Sequence, residues 1–67
     1  MEILKEKIKE LRIEKGLSQT ALAKNIGFSQ NAISQWESGK RVPDAMAVKA
    51  LARFFGVSAD YLLGLEN

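Results

Sequence analysis

Sixty-seven residues make one domain (1–67), and a chain this short buries only about 60% of the surface its unfolded form exposes, so its core is marginal. With no cysteine and no histidine, disulfide staples and the usual zinc ligand sets are excluded, and only weak carboxylate sites remain for a metal. A net charge of +2 and 46% hydrophobic residues fit a folded globule and leave the placement of the charges, not their sum, to indicate partners.

The first residues, Met1-Glu2-Ile3-Leu4-Lys5-Glu6, lack the apolar run of a signal peptide. The longest apolar stretches, such as Ala45-Met46-Ala47-Val48, fall far short of a membrane span, so the expected location is cytoplasmic with no membrane partner. Glycine is the expected stop just past a helix, and Gly16, Gly27, Gly39, Gly56 and Gly64 each follow a segment of helical period. The starts agree. Ser18, Ser29, Asp44 and Ser58 stand where a side-chain oxygen caps free amides. Three of the caps carry a hydrophobic staple, Leu17 with Leu22, Phe28 with Ile33 and Val57 with Leu62. The spacing predicts an all-α fold with helices near 2–15, 19–26, 30–37, 45–55 and 59–63.

The first predicted helix sets Leu4, Ile8 and Leu11 on one face. Lys5, Lys9 and Arg12 fall on an arc beside it, and Glu2, Glu6, Glu10 and Glu14 fall opposite, with Ile13 among the glutamates. This segregation is read either as a solvated helix with ion pairs or as a basic arc near a polyanion.

The second and third predicted helices meet at Gly27 with about three residues between them, which sets them at roughly 90–120°. Ala23 supplies the small side chain such a crossing needs, and Leu22, Ile26, Phe28, Ile33 and Trp36 form the inner face. Trp36 is therefore a corner residue and not a base-stacking platform. The other face of the third helix shows Gln30, Asn31, Ser34 and Gln35. Amides offer a paired donor and acceptor that match adenine N6 and N7 in the major groove. Gln19 opens its helix, where free amides favour a phosphate. Ser38, Lys40 and Arg41 follow the reading helix, and Arg12 and Lys24 are more distant phosphate candidates. Between 18 and 41 the charged residues are Lys24, Glu37, Lys40 and Arg41, a locally positive set.

Further along, Phe55 continues the stripe of Val48, Leu51 and Ala52. Phe54 is the extra aromatic. With Leu63 and Leu65 it is the expected apolar patch for self-association, the alternative being burial under the last helix.

Several separated motifs occur in order over roughly residues 4 to 64: Gly16-Leu17-Ser18-Gln19, the Ala23-to-Gly27 spacing, Ala32-Ile33-Ser34-Gln35-Trp36-Glu37, Gly39-Lys40-Arg41-Val42-Pro43, and Phe55 through Gly64. Together they resemble the phage-repressor and Cro (XRE-like) family of helix-turn-helix regulators. The resemblance implies a five-helix, lambda-repressor-like domain acting as a transcriptional regulator of the repressor kind. It places the third helix in the major groove with Gln30, Asn31, Ser34 and Gln35 at the base-reading positions and Gln19 on backbone phosphate. Many relatives carry arginine on this helix. Its absence here disfavours a guanine-rich contact. Family members commonly dimerise, which implies a homodimer on palindromic double-stranded DNA, nucleoid-associated when bound, with no cofactor.

An enzyme is disfavoured: there is no histidine, cysteine, glycine-rich phosphate loop or carboxylate in an apolar setting. RNA binding lacks an aromatic platform. A protein-interaction module on the same fold, antitoxin-like in its use, stays open as the rival.

Overall fold

The structure is a computed structural model that describes residues 2–65. It contains α1 (Glu2–Glu14), α2 (Gln19–Ile26), α3 (Gln30–Ser38), α4 (Ala45–Phe55) and α5 (Ala59–Leu62), with no strand among the described residues. The expected elements are all present, with ends shifted by one residue at α1, α3 and α5, as befits frayed termini.

Local chemistry sets the boundaries. Ser18, Ser29 and Ser58 each accept a hydrogen bond at Oγ from the amide three residues on, at 3.0, 3.1 and 2.9 Å, and Asp44 Oδ1 accepts from Ala47 N at 2.9 Å. Each satisfies one of the orphan amides that a helix start leaves. The inner members of the three staples, Leu22, Ile33 and Leu62, are fully buried, and the outer members are half-buried. Gly27, at φ 78°, makes the stop between α2 and α3, and the Ala23 carbonyl accepts from both Gly27 N and Phe28 N at 2.9 and 3.0 Å. A side chain at that φ would meet the left-handed penalty of roughly 1–2 kcal/mol.

One core joins all the helices. Leu4 and Ile8 of α1, Leu22 and Ala23 of α2, Ile33 and Trp36 of α3, Ala47, Val48, Leu51 and Ala52 of α4, and Leu62 of α5 are buried together. Leu11, Ile26, Phe28, Phe54 and Phe55 pack partly against them. Phe54 thus follows the burial alternative in part. Its ring meets Phe55 edge-on at 5.2 Å, and Lys15 Nζ lies 5.3 Å from its centre. Ile13 is 57% exposed beside exposed Glu10 and Glu14, as the helical period requires, while the Glu2 side chain lies outside the described residues.

The two ends of the domain are drawn together. Lys7 Nζ donates to Tyr61 Oη at 3.3 Å and lies over that ring. Gly64 comes so close to α1 that a Cβ there would stand 2.9 Å from Ile3 Cγ2. Packing of α3 against both α1 and α2 leaves its remaining face outward, and α4 bridges α2 and α5 behind it. Among the described residues no helix is long and apolar enough to cross a membrane.

Candidate nucleic-acid interface

The corner of α2 and α3 is held from inside by apolar packing. Trp36 is only 6% exposed and meets Phe28 edge-on with ring centroids 5.2 Å apart. The indole belongs to the core, in keeping with its spacing from Ile33.

The outer face of α3 is set by the same period. Gln30 and Asn31 are exposed, and Ser34 and Gln35 are half-buried. Ser38 shares this face and is exposed, with its Oγ donating to the Gln35 carbonyl at 3.2 Å. The chain then folds back, so that Arg41 N donates to the same carbonyl at 3.2 Å. That return places the exposed Lys40 and Arg41 side chains beside the C-terminal end of α3. Lys24, in the last turn of α2, is exposed as well. Lys40 and Arg41 thus lie at one end of an uncharged amide face.

One expected phosphate ligand is placed differently. Arg12 is turned inward. Its Nε donates to Glu37 Oε2 at 2.6 Å, Nη2 to Glu37 Oε1 at 3.0 Å and Nη1 to the Leu17 carbonyl at 2.8 Å. Its side chain is 14% exposed and that of Glu37 only 5%. The hydrogen bonds to Glu37 raise the guanidinium above its ordinary value against the opposing pull of burial, so it stays charged throughout the neutral range. As a phosphate ligand Arg12 is corrected: all three of its nitrogens are engaged in tying α1 to α3 and to the turn before α2. Helical period alone places Arg12 on an arc beside the core; it cannot reveal which helix will stand opposite.

Gln19 keeps its place at the start of α2 but is half-buried and bonded on both sides. Its Nε2 donates to Glu37 Oε1 at 3.2 Å, and its Oε1 accepts from Gln30 Nε2 at 2.7 Å. Glu37, absent from the sequence-based candidates, is thus the hub of the site. Its one visible signal is that it is the only acid between residues 18 and 41. Lys5 is a second addition. It runs alongside Gly39, where an added Cβ would lie 3.3 Å from Lys5 Cδ, and brings a cation to the end of α3, whose own last turn has none.

A separate apolar groove lies between α4 and α5. Pro43, Val48, Ala52, Val57 and Leu63 line it, with Lys49 and Arg53 on its rim. Of the three residues expected to mediate self-association, Leu63 lines this groove, Leu65 is 72% exposed beyond it, and Phe54 packs against the core.

Residues 8–62 match the helix-turn-helix family. The chain is 44% identical over 62 residues to the HTH-type transcriptional activator BcrR of Enterococcus faecalis, covering 92% of this chain and 30% of that protein. It is 39% identical over 51 residues to the cryptic phage CTXphi transcriptional repressor RstR of Vibrio cholerae, covering 76% and 46%. The chain therefore spans less than half the length of either relative. The crystal structure of the P22 c2 repressor protein in complex with synthetic operator 9T superposes with a TM-score of 0.88 at 36% identity, covering 96% of this chain and 97% of that one. The five-helix arrangement described above is the fold of that repressor's DNA-binding domain.

Proposed function

The chain belongs to the helix-turn-helix family, and on that footing we propose that it binds double-stranded DNA sequence-specifically as a transcriptional regulator, with α3 in the major groove. One observation carries the reading: Gln30 and Asn31 stand exposed on a face without charge, while exposed Ser38, Lys40 and Arg41 lie at its end. Gln30, Asn31, Ser34 and Gln35 read base edges, where amide pairs discriminate by hydrogen-bond pattern. Gln19, Ser38, Lys40, Arg41 and Lys24 meet phosphates, which fix register and dominate salt dependence. The P22 c2 repressor, bound to its operator in a solved structure, supports this assignment through its shared fold.

The apolar groove supports a second element of the proposal, a homodimer on a palindromic operator. Lys49 and Arg53 are among its lining residues, and exposed Asp60 follows the lining residue Ala59 in the chain, so two copies meeting here can bring both signs of charge together. A two-fold contact needs such self-complementarity, since each surface must meet its own copy. Two reading helices would then lie about 34 Å apart, one turn of DNA. The groove is built from α4 and α5 and their flanking turns, so a partner seated there leaves α3 open for DNA.

The test is duplex binding at two salt concentrations. Affinity falls steeply with salt, and Lys40→Ala or Arg41→Ala weakens binding to all sequences alike and lowers the salt slope by about one. Salt-independent binding, or none to any duplex, contradicts the proposal.

A further inference from the structure

A cleft of about 490 Å³ opens between α3 and the turn that follows it, within the range of roughly 300–1,000 Å³ usual for small-molecule sites. Phe28, Ala32, Trp36 and Val42 give it an apolar wall, and Arg41 and Asp44 line it beside them. We infer that this cleft binds a free aromatic amino acid, and that the bound amino acid occupies Arg41 and so lowers affinity for DNA. The binding stands on the cleft alone; its effect on DNA rests on the phosphate role proposed for Arg41.

The wall accounts for the aromatic part of the ligand. Phe28 and Trp36 meet edge-on at 5.2 Å, an arrangement that a third ring can extend. Ala32 stands one turn before Trp36 on α3, and its single methyl leaves room beside the pair. Val42 is 55% exposed, so part of the lining is apolar surface that no residue of the chain covers. A ring seated there takes that surface out of water.

The charges define the rest of the ligand. Arg41 and Asp44 are both exposed and lie three residues apart, yet no ion pair joins them among the described residues. Each is fixed at its base: Arg41 N donates to the Gln35 carbonyl at 3.2 Å, and Asp44 Oδ1 accepts from Ala47 N at 2.9 Å. The Arg41 guanidinium and the second oxygen of Asp44 take no hydrogen bond among the described residues. A guanidinium receives a carboxylate in its fork, and a carboxylate oxygen receives an ammonium. An apolar wall beside one cation and one anion is complementary to a zwitterion that carries a ring. A free aromatic amino acid has all three parts, whereas a residue inside a peptide has lost both charges. A carboxylate seated on Arg41 neutralises the charge a DNA phosphate would meet, so affinity falls for every duplex alike.

L-Phenylalanine is the probe, and Trp36 emission is the readout, because the only tryptophan lines the cleft and phenylalanine leaves its excitation wavelength clear. The wild type is expected to bind with a dissociation constant on the order of 1 mM or tighter. Phenethylamine lacks the carboxylate and 3-phenylpropionate lacks the ammonium, and each should bind about threefold or more weakly, the loss of one exposed ion pair. L-Alanine lacks the ring and should bind about tenfold or more weakly. Ala32→Leu fills the space beside the aromatic pair and should abolish the response. No binding of phenylalanine by the wild type up to about 10 mM overturns the inference, as does equal binding of all four compounds, and neither result depends on a variant folding. Unchanged binding by a folded Ala32→Leu protein overturns it too. With phenylalanine at saturation, duplex affinity at one salt concentration should fall about threefold, and Arg41→Ala should remove that response. Phenylalanine binding without any loss of duplex affinity overturns the antagonism. If Arg41→Ala by itself leaves duplex affinity unchanged, the phosphate role of Arg41 fails, a result distinct from the others.

Discussion

Arg12 on α1 and Glu37 on α3, 25 residues apart in sequence, are joined by two hydrogen bonds of 2.6 and 3.0 Å in a setting that excludes most water. A pair so placed does more to define the angle between two helices than to stabilise the fold, because desolvation offsets much of the attraction. Removing one partner is another matter, since it leaves the other charge buried alone.

Glu37→Ala is therefore expected to destabilise the domain by about 3–5 kcal/mol, most of what a chain of this length possesses. Arg12→Met with Glu37→Leu removes both charges, and its cost should be smaller than that of Glu37→Ala. Urea unfolding followed by circular dichroism measures both. Equal losses for the double and single variants would mean that packing, not the charge pair, governs this contact.

The start of α3 is capped by Ser29, whose Oγ accepts from Ala32 N at 3.1 Å. Ser29→Ala leaves that amide without its cap and should cost about 1 kcal/mol, while Ser29→Gly costs only a few tenths. Thermal unfolding gives the order wild type, glycine, alanine. An alanine variant as stable as the wild type would show that the cap is dispensable beside the Phe28–Ile33 staple.

Trp36, the only tryptophan, serves as a built-in reporter. At 6% exposure, edge-on to Phe28, it should emit at short wavelength, shift to the red in urea, and change little when DNA is added. Strong quenching by DNA would place the indole against bases and contradict the corner position described here.

The boundaries of the fold were open to reading because their causes are local. Ser18, Ser29, Asp44 and Ser58 act within three residues of themselves, and a glycine past a helix end needs no distant partner. The exposed part of the site was legible for the same reason, since helical period alone separates Gln30 and Asn31 from Ile33 and Trp36. What period cannot supply is the identity of the neighbouring helix. Arg12 reads as one more cation on an arc, and only the approach of α3 turns it inward onto Glu37. Gln19 likewise reads as a helix-start amide, and its engagement by both Glu37 and Gln30 depends on how α2 packs against α3. Phe54, adjacent to Phe55, was ambiguous between patch and core until the packing of α4 placed both partly against the core.

Self-association through the groove predicts that Leu63→Glu shifts sedimentation toward the monomer while the helical content stays intact, because Leu63 is only half-buried. Arg53→Asp should weaken the dimer similarly, and adding Asp60→Arg should restore part of it. A Leu63→Glu protein that sediments as the wild type does would remove the groove from the dimer contact.

The central claim is that the amide face of α3 reads DNA, and the most direct measurement is selection from a pool of random duplexes at a fixed salt concentration, run in parallel on the wild type and on Gln30→Ala with Asn31→Ala. The wild type is expected to enrich one motif in two inverted half-sites, and the double variant to keep binding while its preference collapses at the positions those two side chains face. Enrichment of the same motif to the same degree by both proteins would contradict the account, because the sequence would then be chosen by some other surface.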